Sequence, residues 1–242
     1  MQSDRLKRME QGMNELINAL TNLNITEAER KAELMMQYMD LVLERNQHVN
    51  LTAITERDAF IEKHYVDSLA AAGTPEFREA ETVLDLGTGG GFPGIPLAIA
   101  FPEKQFTLLD SLNKRIRIIR EFCEELGIEN VTAIHGRAED LGRQTNLRAQ
   151  FDVCVSRAVA DLRVLAEYCL PFVKTGGSFI AYKGADCEEE VGNAEHAIEV
   201  LGGEIQRIEP AGGGHQLVII SKDRETPKAY PRRAGTPGKK PL

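Results

Sequence analysis

The chain has 242 residues, 42% of them apolar, enough to build a sizeable core in one α/β domain with an appendage or in two small domains. No apolar run approaches the ~20 residues that span a bilayer, and the N-terminal MQSDRLKRMEQGMNEL lacks an apolar core of secretory length, so a soluble, cytoplasmic protein away from membranes is expected. The net charge is −8, yet residues 222–242 carry seven Lys/Arg against two acids, which leaves −13 on the rest; an acidic body with a basic end argues against broad coating of nucleic acid and allows a local contact with phosphate.

Residues 4–21 and 26–46 read as helices. Thr26 and Glu29 have the spacing of a capping box, in which the two side chains satisfy amides at a helix start. Leu34, Met35, Tyr38, Leu41 and Val42 then recur on one helical face. A third helix over 56–72 turns Phe60, Ile61, Tyr65 and Leu69 inward and sets His64 within helical reach of Asp67. These elements make a helical N-terminal extension, 1–79.

From residue 80 short apolar strands (82–86, 105–110, 131–134, 151–156, 177–182) alternate with helices (94–101, 112–126, 161–171, 187–201), and Gly127 and Gly202 stand at C-cap positions. Such alternation implies a parallel sheet covered on both faces. Two last strands, 204–209 and 215–220, joined by PAGGG, form a hairpin at the sheet edge. The expectation is an α/β, doubly wound, Rossmann-like sheet of seven strands over 80–221. Residues 222–242 hold four prolines and no periodicity, and read as a basic C-terminal tail, disordered or ordered by a partner. Cys123, Cys154, Cys169 and Cys187 are too far apart for a zinc or redox pair and read as buried thiols; no metal site is expected.

Chemistry concentrates where the strands end. TVLDLGTGGGFPGIPLAI, 82–99, places five glycines within eight residues after the first strand. Gly89-x-Gly91-x-x-Gly94 formally fits a dinucleotide turn, and Asp110, 19 residues past Gly91 at the end of the next strand, suits a carboxylate that takes ribose hydroxyls. Asp85 argues against a pyrophosphate, because a carboxylate beside the loop repels it and attracts a cation. S-adenosyl-L-methionine has a sulfonium, an ammonium and no phosphate. Gly87 and Gly89 would then wrap its methionine end. Ala138 and Glu139 in HGRAED either present backbone to an adenine edge or simply open a helix with acids at its positive end.

The fourth strand ends in Ser156-Arg157-Ala158, without the Asn/Asp-Pro-Pro-aromatic or Pro-Cys signatures of amine and pyrimidine-C5 methylation. Arg157 either orients a ligand or pairs with Asp161. Lys183 in AYKG follows the fifth strand on the same rim and either meets a ligand phosphate or is simply exposed to solvent. Arg117–Glu121 and Arg120–Glu124 read as i,i+4 surface pairs, leaving Lys114 and Arg115 as the cations of interest on that helix. Arg232, Arg233, Lys239 and Lys240, spaced by Pro and Gly, suit a segment that orders on phosphate.

HVNLTAI, KHYVDSL, VLDLGTGGGFPGIPLAI, LLDSLNKR, GRAED, FDVCVSRAV, YKG and YPRRAGTPGKKPL together resemble the bacterial 16S ribosomal RNA guanine-N7 methyltransferase family, also called the glucose-inhibited division protein B family. The resemblance runs through nearly the whole chain. It implies a class I methyltransferase fold and methyl transfer to N7 of a guanine in the 530 loop of 16S rRNA, in the small ribosomal subunit. It also implies cofactor contacts at Gly87, Phe92, Ala138, Glu139 and Arg157. No catalytic acid or base is expected, because guanine N7 has an exposed lone pair and no proton to lose. Two other readings compete: an NAD(P)-dependent oxidoreductase, and a non-catalytic cofactor-binding RNA or assembly protein. With no long heptad pattern, a monomer is expected.

Overall fold

The computed structural model describes residues 2–157, 159–212 and 214–242. Two long helices, α1 (Gln2–Asn22) and α2 (Ala28–Asn46), open the chain. The capping box between them does not form: the chain enters α2 through Glu27 in the left-handed region (φ 54°), one residue past Thr26, and no side chain caps the helix. The expected single helix over 56–72 is segmented. It runs through α3 (Arg57–Phe60), a π-helical stretch (Ile61–Val66), α4 (Asp67–Leu69) and a 3₁₀ turn (Ala70–Gly73). A short α5 (Pro75–Glu79), which periodicity did not reveal, is capped by Thr74 Oγ1 accepting from Phe77 N at 3.2 Å.

Strands and helices then alternate as expected: β1 (Thr82–Leu86), α6 (Gly94–Ala100), β2 (Gln105–Asp110), α7 (Asn113–Leu126), β3 (Val131–His135), α8 (Ala138–Leu141), β4 (Phe151–Arg157), α9 (Leu162–Cys169), β5 (Val173–Gly184), α10 (Glu188–Val200), β6 (Gly203–Gly212) and β7 (His215–Lys222). Gly127 ends α7 at φ 66°. The seven-stranded sheet has the order β3-β2-β1-β4-β5-β7-β6, with β7 antiparallel to both neighbours and the rest parallel. The strand order therefore reverses between β1 and β4, the switch point at which open α/β sheets bind ligands. The β6–β7 turn includes residue 213, outside the described residues.

Strand alternation splits the core in two. Val83, Val153, Val155, Ile180 and Tyr182 face α6, α7 and the N-terminal helices, where Met35, Tyr38, Val42, Phe60, Ile61, Tyr65 and Leu69 are all buried. Leu84, Leu86, Cys154, Phe179 and Ala181 face α9 and α10. All four cysteines are free and buried.

The reading of 222–242 as a loose tail needs correction. Tyr230 and Leu242 pack against the second cluster, and the segment ends in α11 (Thr236–Lys239). Many of its polar anchors involve backbone carbonyls, which have no hydropathy signature. Arg148 Nη1 donates to Tyr230 O at 2.9 Å and Nη2 to Thr226 O at 2.6 Å. The buried Lys222 ammonium donates to Leu170 O at 2.9 Å and Leu201 O at 3.1 Å. Each sheet face thus carries one terminal segment.

Candidate cofactor cleft and acceptor rim

A cleft of about 540 Å³ opens at the carboxyl ends of β1, β2 and β3, lined by Gly87, Asp110, Arg115, Ala138, Glu139, Val159 and Tyr168 among others. That is the size of a small-ligand site. Another cavity, of about 470 Å³, lies at the amino end of β2, away from the switch point.

The glycine turn is held from both sides. Asp110 Oδ2 accepts from Gly89 N at 2.9 Å, and Oδ1 accepts from Leu112 N at 2.8 Å, so the carboxylate at the end of β2 fixes the turn and the next loop together. Arg115 Nη1 approaches the same carboxylate at 3.4 Å. Gly87 sits at φ 76°, and a Cβ there would run into the Val159 side chain. Glycine is thus required where the turn must pass beneath Val159.

Asp85 is fully buried below the turn. Its Oδ2 accepts from Thr88 Oγ1 at 2.6 Å and from Gly94 N at 2.8 Å. Its Oδ1 has no hydrogen-bond partner among the described residues. A Cβ at Gly94 would lie 2.6 Å from Oδ2, so the last glycine of the turn makes room for the carboxylate rather than for a phosphate. Burial raises the Asp85 carboxyl to about 6, against the hydrogen bonds from Thr88 and Gly94 that favour the ion. A buried, half-satisfied carboxylate under a glycine turn suits a cationic ligand group and disfavours a pyrophosphate. With Asp110 at the end of β2, the residues present fit S-adenosyl-L-methionine.

Ala138 and Glu139 open α8, and both line the cleft. Burial pushes the Glu139 carboxyl up, but the Gly235 amide, its own amide and Arg137 outweigh it and hold it below the usual range.

Phe92 does not line the cleft. It is buried, with the His64 ring stacked on it at 4.3 Å and 10° between planes.

Past the switch point the rim is occupied by a network that joins β4 to the N-terminal helices. Arg157 Nη1 donates to Asp67 Oδ2 at 2.5 Å and to Lys63 O at 3.0 Å. Its Nη2 donates to His64 Nδ1 at 3.0 Å, which leaves the His64 proton on Nε2, directed at Thr52 Oγ1 2.6 Å away. Burial, then the Arg157 charge, lowers His64 to about 3, so the ring is neutral. His215 Nδ1 reaches Asp67 Oδ1 at 2.8 Å.

Two sequence readings are thereby replaced. His64 bonds Thr52 and Arg157 instead of Asp67, and Arg157 pairs with Asp67 of the helical layer instead of with Asp161. Nothing in the sequence points to Thr52 or His215 here, because their partners lie on distant elements.

Lys183 and Arg232, expected to face RNA, are both turned inward. Lys183 Nζ donates to Glu190 Oε1 at 2.6 Å and to Ala160 O at 2.8 Å. Arg232 makes a fork on the fully buried Glu167: Nε to Oε1 at 3.0 Å, Nη2 to Oε2 at 2.6 Å. The buried Glu167 carboxylate demands a cation, which Arg232 supplies, while Lys183 is itself buried and is paired with the half-buried Glu190. Arg233, Lys239 and Lys240 are exposed. Of the expected surface pairs on α7, Glu121 goes to Arg45 and Arg120 to Ala133 O. Among the described residues no group of His, Cys, Asp or Glu could hold a metal, and no helix is long and apolar enough to cross a membrane.

Comparison with known proteins agrees with this geometry. A family model described as rRNA small subunit methyltransferase G matches residues 31–219. The chain is 48% identical over 232 residues to a ribosomal RNA small subunit methyltransferase G of Clostridium botulinum (strain Eklund 17B / Type B), covering 94% of this chain and 97% of that one. The corresponding protein of Lactococcus lactis subsp. cremoris (strain MG1363) is 45% identical over 233 residues, covering 94% and 98%.

Among solved structures, a Methanococcus jannaschii fibrillarin pre-rRNA processing protein superposes with TM-score 0.51 at 19% identity, covering 62% of this chain and 70% of that one. An O-methyltransferase family protein from Burkholderia thailandensis gives 0.51 at 15%, covering 84% and 62%. These two likenesses concern the fold alone.

Proposed function

The chain belongs to the rRNA small subunit methyltransferase G family, and on that premise we propose that this S-adenosyl-L-methionine-dependent rRNA methyltransferase acts as a cytoplasmic monomer on N7 of a guanine in the 530 loop of 16S rRNA. The observation that carries the reading is the cleft at the switch point, with a carboxylate at the end of β2 and an unsatisfied carboxylate oxygen beneath its glycine turn.

The bound cofactor supplies an electrophilic methyl group on a sulfonium. Gly87 and Gly89 would hold its methionine end, Asp110 its ribose, and Ala138 with Glu139 its adenine edge. Asp85 provides countercharge from below. Phe92 supports the turn from inside the core. Arg157, held by Asp67 and His64, forms the rim on which the acceptor base would rest.

Guanine N7 attacks through its own lone pair, so the residues need to aim the base rather than deprotonate it. Placement of reacting atoms at roughly 3–3.5 Å can supply about 7–11 kcal/mol. His64, with its pKa at about 3, takes no part as a base near neutrality. Arg233 and Lys239 flank Gly235, whose amide is bonded to the cleft residue Glu139, so these exposed cations lie beside the site and are the RNA contacts we assign.

Transfer of labelled methyl groups to small subunits from a strain lacking the gene, followed by mapping of the modified base, tests this. Label in a 530-loop guanine at N7 is expected; label elsewhere, or none, overturns it. Single-turnover rates should be flat between about pH 7 and 9, and a log-linear rise would point to a base in the mechanism. Calorimetry with NADH should give no heat where S-adenosylhomocysteine binds.

A further inference from the structure

The C-terminal segment carries a feature that neither a tail nor a solubilising extension requires: it ends on the wall of the cleft. Gly235 N donates to Glu139 Oε1 at 2.8 Å, and Glu139 is a cleft residue, buried to 4% exposure. Three residues earlier, the Arg232 fork and the Arg232 backbone N, at 2.7 Å from Oε1, close on Glu167. Glu167 is fully buried on α9, next in sequence to Tyr168, which lines the same cleft. The segment therefore holds two cleft-wall elements at once: α8 through Glu139 and α9 through Glu167.

We propose that Arg232 and Gly235 are positioning residues for the cofactor site: the docked C-terminal segment fixes the Glu139–Tyr168 wall, so cofactor binding and segment docking reinforce each other. Coupling of this kind is reciprocal. A ligand that binds more tightly with the segment docked must hold the segment down by the same factor. Because Arg233 and Lys239 ride on the same segment, cofactor occupancy would also fix where the RNA-facing cations stand. A structural brace would stabilise the fold without any link to the ligand. The proposal rests on the cleft being the S-adenosyl-L-methionine site.

The test uses S-adenosylhomocysteine with the full chain. The first arm needs no variant: tryptic cleavage after Arg233 is timed with and without saturating ligand. Protection of about tenfold is expected, and an unchanged rate overturns the proposal. The second arm is the double variant Glu167→Gln/Arg232→Gln, which releases the fork without leaving a buried charge alone. Its calorimetric Kd is expected to rise about tenfold, with ligand protection of the segment lost. A folded variant that binds within twofold of the parent overturns the coupling; if the variant does not fold, the first arm decides alone. If the parent chain binds no S-adenosylhomocysteine at all, the reading of the cleft fails, and this inference fails with it.

Discussion

The two halves of the sheet's carboxyl edge are built in opposite ways. On the β1–β3 side, the turn that borders the cleft is backbone and glycine, and beneath it the buried Asp85 keeps one oxygen without a partner among the described residues. On the β4–β7 side the cations are engaged: Arg157 with Asp67, Lys183 with Glu190. The first half is shaped for a small ligand that comes and goes. The second half is a fastening between the sheet and its helical layers, and it offers a large acceptor a rigid rim. Affinity should therefore respond to changes on the first side and stability to changes on the second.

Asp67→Ala is expected to have the largest effect. It leaves Arg157, whose side chain is 11% exposed, without its carboxylate. Breaking such a pair costs about 3–5 kcal/mol, which for a chain of this size lowers Tm by roughly 6–20 °C. Affinity for S-adenosylhomocysteine should stay within about threefold of the parent, a change of less than ~1 kcal/mol. A Tm shift of a degree or two, or a lost cofactor, would erase the division between the two sides.

Gly87→Ala acts on the other side. The new side chain would have to hold φ 76° and displace Val159. The strain is about 1–3 kcal/mol, and most of it should appear as a roughly 10–100-fold weaker ligand Kd, with a smaller loss of stability. Calorimetry and thermal melts on one preparation separate the two. Binding preserved beside a large drop in Tm would show the turn to be scaffold only.

How much of this division the sequence revealed depends on how far each signal reaches. The glycine turn, Asp85 and Asp110 were legible because a strand, a turn and a helix follow one another directly along the chain, and the residue types at the turn restrict the ligand. The sheet order was legible because strand–helix alternation has few solutions. The Arg157 network was not, since Asp67 lies 90 residues from Arg157 and 148 from His215. Nor was the docking of 222–242: Arg148 donates to carbonyls of the segment, while its Lys222, Arg232 and Gly235 donate to groups on distant elements. Proline content argues against regular structure, but an extended chain can still be fastened through its backbone.

Asp85 sharpens the comparison through pH. Burial raises its folded pKa from 3.8 to about 6. Between those values the folded chain keeps a proton that the unfolded chain has released. Its contribution to stability is therefore greatest below about pH 4 and is lost as pH rises through about 6. Asp85→Asn removes that slope. Urea titrations should find the variant more stable than the parent at pH 8, by about 1–2 kcal/mol, and calorimetry should find it about tenfold poorer as a ligand binder, or ~1.4 kcal/mol. A variant that loses stability at pH 8 would mean that the ion is satisfied in the fold and is not held in reserve for a ligand.

The smallest effect concerns the cations that neither side has claimed. Replacing Arg233, Lys239 and Lys240 by Gln should leave Tm and cofactor binding unchanged, because all three are exposed. RNA binding should weaken at low salt, and the slope of log K against log salt should flatten by about 0.7–0.9 for each phosphate no longer neutralised. Lys183→Gln is the control, since its ammonium is spent on Glu190 and Ala160: it should cost stability and leave the slope alone. If Lys183→Gln flattens the slope and the triple variant does not, RNA opens the fastened side of the edge, and the rim described above is a closed state of the enzyme rather than its docking surface.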